Sequence, residues 1–336
     1  MCGSSATVIA APSNRERDLW DAALAGFGGI SLLQTWAFGA AKEEEGGWRA
    51  ERLDFRQGGT LVGMAQVMVK PLPVVGGGLA WVNRGPLTVP GAEAEVLAAL
   101  RQAYLGRGFY LRVAPPVAEL PQVAGFRSTG RIGWASAVVD LARPLDAVRA
   151  SLDGKWRNAL KKGEKAGLDL VSGSEGPVLD SFLAAHARFL ESKRLPTTVT
   201  PPLMAALARL APAAARPVVH VARQGGEAVG GVLFVRYGDT CEYLAGHSTE
   251  AGRAVNATHV LLWRAIAEMQ ARGAAACDLG GLDDQRTPPG IRLFKRGLNG
   301  VPYRLAEDIE ACPASPLAWA VRWKVGRALA AAEGQP

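Results

Sequence analysis

The feature that most constrains the fold of this chain is a short sequence that occurs twice. The stretch RQGGTLVGMAQVMV begins at Arg56, and RQGGEAVGGVLFVR begins at Arg223. An offset of 167 residues relates the two stretches, and the same offset relates Gly106 to Gly273. One tetrapeptide could recur by chance in a chain with 40 glycines, but a single offset that holds over several separate features indicates a duplicated structural unit.

The length and composition of the chain fit two globular domains. Its 336 residues suffice for two cores, and an apolar content of 49% argues against a disordered chain. The 38 Lys and Arg residues against 31 Asp and Glu residues give a formal charge of +7. This excess either favours anionic partners such as phosphates, nucleic acid or a lipid surface, or reflects ordinary solubility.

The sequence lacks the motifs that are typical of several protein classes. The four cysteines show no CxxC or Cys/His ligand spacing, so we expect neither a disulfide framework nor a metal site, and a reducing cytoplasm fits best. We find no pattern of a secretion signal and no run of roughly eighteen apolar residues that would predict a membrane span. Phosphoryl transfer, zinc hydrolysis and dinucleotide chemistry also lack their motifs.

Each copy of the repeat predicts the same order of elements. In the first copy, a hairpin over 49–69 turns at QGG, and a helix over 94–105 precedes the buried strand FYLRVAP. In the second copy, a hairpin over 217–237 turns at the second QGG, and the strand DTCEYLAGHS, a helix ending at Gly273 and the strand ACDLGG follow. Two amphipathic segments precede each copy, so the predicted order is helix, helix, strands, helix, strand.

This order of elements resembles the Gcn5-related N-acetyltransferase fold, present twice. We therefore predict an α/β protein of two tandem Gcn5-related N-acetyltransferase-like domains, each a mixed, mostly antiparallel sheet flanked by helices. The expected first domain is 1–150, the second is 151–310, and a basic amphipathic C-terminal helix occupies 311–336.

Tandem domains of this type resemble the Fem-type peptidyltransferases, which build interpeptide bridges in bacterial cell walls, over nearly the full chain. Four segments carry the likeness: SLLQTWAFGAAK (31–42), NRGP (83–86), KWRNALKKGEKAG (155–167) and DLGGLDDQRTPPGIRLFKRGLNG (278–300). The last is the most specific, because the family has a strand ending in an Asp-Gly-Gly type sequence, then a loop, then a Phe-Lys pair.

The resemblance implies transfer of an aminoacyl group from aminoacyl-tRNA, as co-substrate, to an amine of a peptidoglycan precursor or related peptide, with no other cofactor. An ester attacked by an amine needs positioning and positive charge where the oxyanion develops. By the likeness, Lys295 stabilises the carbonyl or oxyanion and Phe294 forms the adjoining wall. Asp278, at the end of a predicted buried strand, either accepts the proton of the amine or caps the following loop.

Further residues are candidate substrate contacts. Lys42 stands where the family uses a lysine to hold the nucleotide diphosphate of the precursor, although three glutamates follow it at once. In the same segment, Trp36 fits packing better than ligand contact, and Gln34 is undecided. Tyr243 and His247 are evenly spaced on one predicted strand, which predicts that they share a face; they either line the cleft or belong to the core.

Two basic segments are predicted to be helical. In the first, Lys155, Lys162 and Lys165 share a face that either tracks tRNA phosphates or is simply solvated. The C-terminal helix either docks on the protein or touches a membrane surface that holds a lipid-linked acceptor. We expect a monomer that is cytoplasmic or peripheral to the inner face of the membrane.

Two rival functions stay open. An acyl-CoA-dependent N-acyltransferase would need a Gly-rich turn for the pyrophosphate, but the corresponding loop of the second copy reads GRAVNATH. A non-catalytic binding module that kept the duplicated fold would make Lys295 dispensable. The run 175–215 has room for two ordinary helices and not for the long helical hairpin that serves some Fem-type enzymes as a tRNA-binding arm, so the choice of acyl donor is open.

Overall fold

The chain divides into two compact units, each with its own sheet and core. In a computed structural model, residues 7–73, 76–120, 122–193 and 197–333 are described. Unit 1 comprises Met1–Trp134 together with Arg304–Pro336, and unit 2 comprises Ala135–Tyr303.

The described residues form both strands and helices, with the bounds that follow. The strands are β1 (Val8–Pro12), β2 (Arg49–Gln57), β3 (Thr60–Pro71), β4 (Gly78–Asn83), β5 (Leu87–Thr88), β6 (Phe109–Ala114), β7 (Arg127–Ser128), β8 (Ala135–Asp140), β9 (Asp169–Gly173), β10 (Val218–Gln224), β11 (Glu227–Tyr237), β12 (Thr240–Ser248), β13 (Ala276–Asp278), β14 (Val301–Arg304) and β15 (Ile309–Ala311). The helices are α1 (Arg17–Leu24), α2 (Trp36–Glu45), α3 (Glu93–Leu105), α4 (Leu145–Ser151), α5 (Gly154–Glu164), α6 (Gly176–Lys193), α7 (Pro201–Leu210), α8 (Glu250–Ala254), α9 (Ala257–Ala271), α10 (Pro289–Arg296) and α11 (Pro316–Glu333), with 3-10 turns at Leu32–Gln34 and Ala213–Ala215.

The sheet of unit 1 has the order β1-β2-β3-β4-β6-β15-β7, and β5 pairs with β3. β4 and β6 run parallel, while their outer neighbours β3 and β15 run antiparallel to them. Tyr104 of α3 and Phe55 of β2 are fully buried in one core cluster, so the helix covers one face of the sheet. Trp20 of α1 is buried in a second cluster, and its Nε1 donates to the carbonyl oxygen of Gln34 at 3.0 Å.

The sheet of unit 2 has the order β14-β8-β13-β12-β11-β10-β9. β12 and β13 run parallel, and β8, β11 and β10 run antiparallel to the strands beside them. Trp156 of α5, Leu261 of α9 and Phe234 of β11 share its buried core. Gly163 lets α5 approach α9 closely, since a Cβ atom there would lie 2.6 Å from Val260 Cγ2.

The duplication predicted from the repeated RQGG is confirmed in the backbone. β2 pairs with β3 with a register shift between Phe55 and Arg56, and β10 pairs with β11 with the same shift between Ala222 and Arg223. The φ angles of the turn glycines agree as well: 56° at Gly58 and 87° at Gly59, against 59° at Gly225 and 87° at Gly226. Two successive positive φ angles favour glycine, so the repeated Gly-Gly pair is a requirement of the hairpin turn.

The two units differ where their parallel strands meet. β4 pairs with β6 along its whole length, from Gly78 to Asn83. β12 pairs with β13 only from Thr240 to Glu242, and then continues to Ser248 beside β11 alone. Within the described residues no strand pairs with the other side of Tyr243–Ser248, a stretch that we call the β12 edge. In unit 2 the two parallel strands therefore stop pairing after Glu242, before β12 itself ends.

The observed division of the chain differs from the one expected at residues 150 and 310. β8, which starts at Ala135, pairs with β13 and so belongs to the second sheet. β15 pairs with β6 and β7 and returns the C-terminal segment to the first sheet. Short strands that pair far along the sequence leave little local signal, which explains the difference.

The helical predictions hold with local changes. The helix of the basic segment, α5, follows an extended residue at Leu152, and the Asp153 side chain caps it by accepting from Trp156 N at 3.2 Å. ACDLGG is a strand only to Asp278. Among the described helices, we find none that combines the length and the apolar character needed to cross a bilayer.

Candidate active site in unit 2

The side chain of Lys295 is buried beside the start of the β12 edge in unit 2. It lies in the last turn of α10, and its Nζ donates to the carbonyl oxygen of Gly281 at 3.2 Å. The same nitrogen lies 5.4 Å from the ring centroid of Tyr243, the first residue of the β12 edge. The ammonium group is thus held where β12 and β13 separate.

The surroundings of Lys295 change its pKa. Loss of hydration lowers the pKa of Lys295 to about 8, while the carboxylates of Asp278 and Glu242 oppose that change. A group with a pKa near 8 is mostly protonated at pH 7. The site therefore holds a poorly hydrated positive charge near neutral pH.

The loop after β13 needs glycine to make this arrangement. Gly280 has a φ of 69°, and its N–H donates to Asp278 Oδ1 at 2.8 Å. A Cβ atom on Gly280 would lie 3.1 Å from the carbonyl oxygen of Tyr243 and 3.3 Å from Lys295 Nζ. Glycine is therefore required at the third position of the Asp-Leu-Gly-Gly sequence, because the backbone there lies close to both the β12 edge and the lysine.

Asp278 is buried and engaged at both carboxylate oxygens. The hydroxyl of Tyr303 donates to Oδ2 at 2.6 Å, and Oδ1 accepts from the N–H of Gly280 and lies within hydrogen-bond distance of the Ser136 hydroxyl. That hydroxyl also lies 2.8 Å from the carbonyl oxygen of Gly280. Of the two roles expected for Asp278, this geometry favours capping of the loop.

Tyr243 and His247 do not share a face, contrary to the prediction from their spacing. The register of β12 against β11 shifts between Leu233 and Phe234, so that Leu244 is an extra residue between the two. Such a bulge reverses the alternation of side chains along the strand. Tyr243 consequently stacks on Phe234 with ring centroids 5.6 Å apart, in the core cluster beside α9.

His247 points instead toward α6. Its ring centroid lies 5.2 Å from that of Phe182 and 6.1 Å from that of His186. Burial lowers the pKa of His247 to about 4, so the ring is neutral at pH 7. A neutral ring between aromatic neighbours fits the core role that the sequence left open.

Phe294 anchors α10 to its neighbours. Its ring centroid lies 5.9 Å from that of Trp156 on α5 and 5.0 Å from that of His259 on α9, edge to face. The side chain is partly buried against the core of unit 2. It therefore fixes the helix that carries Lys295, and its contact with an acyl group stays a prediction.

The basic face predicted for the segment after residue 155 lies on α5 of the same unit. Lys155, Lys162 and Lys165 are exposed, while Trp156 and Leu160 on the opposite side are buried. The lysines have no ion-pair partner among the described residues. They are available to an anionic partner.

Gln34, in unit 1, is a structural residue. Its buried side chain donates from Nε2 to the carbonyl oxygens of Asn83 at 2.9 Å and Gln66 at 3.2 Å, and its Oε1 accepts from Gln66 N at 2.8 Å. The amide joins the 3-10 turn to β3 and β4. Both N–H groups of this amide are engaged inside the protein and the side chain is fully buried, so it offers no free donor to a substrate.

The other two candidates of unit 1 are engaged as well. The guanidinium of Arg52 lies 3.5 Å from the ring centroid of Trp36, which packs against the cluster around Trp20. Lys42 forms an ion pair with Glu45, one of the glutamates that follow it. Packing of Trp36 thus agrees with expectation, while phosphate binding by Lys42 would require the ion pair to open.

Sequence reasoning missed several residues of this site. Ser136 on β8 and Tyr303 on β14 hold Asp278, and Glu242 on β12 is buried beside Asp278 in the parallel register. The strands β8 and β14 carry no repeat or motif. An acid in the otherwise apolar strand TCEYLAG was the one available signal.

Comparisons with known proteins agree with this architecture. Residues 148–296 match the family described as acetyltransferase (GNAT) domain. The fold is that of the crystal structure of FemX, with a TM-score of 0.77 and 15% identity over 92% of this chain and 99% of that one. Similarity also extends to a tandem GNAT protein from the clavulanic acid biosynthesis pathway, determined without AcCoA (TM-score 0.54, 14% identity, 92% and 99% covered), and to the C-terminal domain of a putative lysylphosphatidylglycerol synthetase from Agrobacterium fabrum (0.51, 13%, 79% and 85%).

At these identities the likeness establishes the fold, and the predicted tandem GNAT-like, Fem-type fold is confirmed. A comparison with curated protein sequences finds no significant match.

Proposed function

We propose that this chain, which has the tandem GNAT-type fold of FemX, is an acyltransferase that moves an aminoacyl group from aminoacyl-tRNA to an amine of a peptidoglycan precursor or related peptide. The observation that carries the proposal is the buried ammonium of Lys295 at the separation of β12 and β13. The reaction needs no resident cofactor, because the acyl group arrives as an activated ester.

The chemistry follows from the position of this charge. The neutral amine attacks the ester carbonyl at the β12 edge, and the developing oxyanion accepts a hydrogen bond from Lys295 Nζ, which has protons beyond the one donated to Gly281. Backbone N–H groups of the unpaired edge offer further donors. A C–N bond forms, the ester C–O bond breaks, the amine loses one proton to solvent, and the ribose oxygen leaves with a proton from solvent.

Asp278 acts in this scheme as a positioning residue. Its hydrogen bonds to Gly280 N and Tyr303 keep the loop against Tyr243, and this loop supplies the carbonyl that holds the lysine. The carboxylate also favours the charged form of Lys295.

The preference for an aminoacyl-tRNA donor rests on two supports. The exposed lysines of α5 lie in the same unit as Lys295 and suit phosphates of a nucleic acid backbone. One similar structure is described as the C-terminal domain of a putative lysylphosphatidylglycerol synthetase, whose named product carries the aminoacyl group lysyl.

A second candidate is transfer from acyl-CoA, favoured by the acetyltransferase (GNAT) domain match over residues 148–296. The pyrophosphate turn of such an enzyme would fall in GRAVNATH, where α8 ends and α9 begins. Asn256 there adopts a φ of 57° and makes no side-chain cap, and the loop lacks the successive glycines of a phosphate cradle. We therefore rank this donor second.

One assay separates the candidates. The purified protein is incubated with radiolabelled aminoacyl-tRNA or radiolabelled acyl-CoA, each with an extract of small amines and peptidoglycan precursors, and label is followed into small products. Ribonuclease-sensitive transfer from tRNA supports the proposal, and transfer from acyl-CoA alone replaces it with the second candidate. Absence of transfer from both donors, with folded protein, would favour a binding module and overturn the proposal.

A further inference from the structure

The C-terminal helix α11 is attached to unit 1 by one side only. Ala318 is buried at 2% exposure, and Arg322 donates to Glu310 of β15 at 2.7 Å. Val321, Val325 and Leu329 are partly buried on the same side of the helix. This stripe joins α11 to the sheet, and the opposite side faces solvent.

The solvent side of α11 carries large apolar side chains. Trp319 is 49% exposed, Trp323 is 63% exposed and Leu317 is 41% exposed. Because residues four apart lie on one side of a helix, the two tryptophans and Arg327 form one row along its length. We call the side chains of Trp319, Trp323, Lys324 and Arg327 the α11 outer face.

Guanidinium groups lie beside both tryptophans: one belongs to this face, and the other two belong to β7 and to the attached side of α11. Arg327 lies 4.8 Å from the ring centroid of Trp323, and Arg127 and Arg322 each lie 5.4 Å from that of Trp319. The segment 316–332 contains cations but no Asp or Glu. Arg322 is engaged by Glu310, so Lys324 and Arg327 supply the free positive charge of the face.

We propose that the α11 outer face docks on an anionic lipid surface, with the helix lying in the plane of the bilayer interface. Tryptophan rings favour the headgroup region, and neighbouring Lys and Arg side chains are attracted to anionic headgroups there. Charge complementarity and the exposed rings together select this partner. The proposal does not rest on the transferase activity, because lipid binding is measurable without any substrate.

The second basic helix of the chain shows why double-stranded RNA fits this face less well. On α5 the lysines are exposed while Trp156 is buried, so this helix offers a partner positive charge and no exposed Trp ring. On α11 the apolar rings are the exposed groups, and only two free cations accompany them. A duplex backbone offers phosphates but no apolar layer that would take up such rings.

The test is co-sedimentation of the full chain with vesicles of phosphatidylglycerol and phosphatidylcholine, compared with vesicles of phosphatidylcholine alone. We expect binding to the anionic vesicles that weakens with salt. Trp319→Ala with Trp323→Ala, and separately Lys324→Glu with Arg327→Glu, should each lower the partition constant on the order of 10-fold or more. Fluorescence of the tryptophans should shift to the blue on binding.

Matched controls and a second ligand keep the result interpretable. Leu19→Ala on α1 and Lys193→Glu on α6 remove an exposed apolar group and an exposed cation elsewhere, and should bind vesicles as the unchanged protein does. Circular dichroism confirms that each variant is folded. Equal binding of the α11 variants and the unchanged protein, or loss of tRNA binding by these variants without loss of vesicle binding, would overturn the proposal.

Discussion

Lys295 Nζ lies 3.3 Å from the position that a Cβ atom would occupy on Gly280. Gly280 belongs to the loop that follows β13, and Lys295 belongs to α10, the helix that follows this loop. Because of this contact, the residue at position 280 and the position of the Lys295 ammonium group are coupled. A substitution of Gly280 therefore tests the position of that charge.

Replacement of Gly280 by alanine should disturb the site without removing any functional group. An alanine there has to adopt a φ of 69°, and its Cβ presses against both Tyr243 O and Lys295 Nζ. We expect about 1–2 kcal/mol lower stability and a transfer rate reduced at least ~10-fold. Gly290→Ala is the matched control, because no atom lies within 4 Å of a Cβ there, and a similar loss in both variants would contradict the coupling.

Substitution of Lys295 tests the proposed oxyanion contact. Lys295→Ala should lower kcat about 10²–10³-fold with a smaller change in KM, because the interaction strengthens as charge develops on the oxygen. Lys193→Ala, an exposed lysine of α6, serves as the control. An unchanged kcat for a folded Lys295→Ala protein with an identified substrate would remove the lysine from the mechanism.

The pH dependence of the rate tests the role of the Lys295 charge independently. The pKa of Lys295, lowered to about 8 by burial, means that the side chain loses its positive charge as the pH rises through 8. We expect the rate contributed by this cation to fall above pH 8, and Lys295→Arg to move that fall to higher pH, since guanidinium stays charged. The measurement is kcat from pH 6 to pH 10 for both proteins, and identical alkaline limbs would argue against titration of Lys295.

The lysines of α5 should govern the salt dependence of tRNA binding. Combining Lys155→Ala, Lys162→Ala and Lys165→Ala should reduce the slope of log Kd against log salt by about 2–3, if each lysine neutralises one phosphate. Filter binding from 50 to 300 mM salt measures the slope. The same slope in the triple variant and in Lys193→Ala would identify α5 as a solvated helix.

The free energy of unfolding should fall as the pH is lowered below 6.5. All four histidines lie in unit 2, and burial lowers the pKa of His220, His247 and His259 to about 4. Between pH 6.5 and pH 4 the unfolded chain therefore binds more protons than the folded one, so each of these residues lowers the free energy of unfolding over that window. Urea titrations at pH 7.5, 6.5 and 5.5 measure the trend, and His259→Phe should make it shallower. A flat profile would mean that the rings charge without unfolding.

Gln34 should behave as a structural residue. Gln34→Leu leaves the Gln66 N–H and the Asn83 carbonyl buried without their partner, which costs about 2–4 kcal/mol. Gln122→Leu, at an exposed position of the same unit, should change stability by less than ~0.5 kcal/mol. Where Gln34→Leu is folded, KM should be unchanged, and an isolated rise in KM would restore the substrate role.

The parts of the fold that the sequence predicts are those with local signals. The hairpins at Gly58 and Gly225 follow from paired glycines between alternating strands, and their positive φ angles bear this out. The helix ending at Leu105 follows from its apolar period and the glycine after it. These features depend on neighbours within one or two turns of chain.

The features that the sequence does not predict depend on distant partners. The extra residue Leu244 in β12 reverses the side on which His247 lies, yet nothing in TCEYLAGHS marks a bulge. β15 is a strand because Arg112 and Val113 pair with it from far along the chain. The engagement of Lys42 by Glu45 was visible in the sequence only as a run of acids.

The return of β15 to the first sheet fixes the order in which the molecule can be completed during synthesis. Unit 2 has its whole sequence once Tyr303 has left the ribosome, whereas unit 1 still lacks the strand that pairs with β6 and β7. Until Glu310 emerges, the buried Tyr110 hydroxyl has no carboxylate to which it can donate. The half of the protein that begins first is therefore finished last, and a nascent chain cut short before residue 309 would present an open edge of β6 to its surroundings.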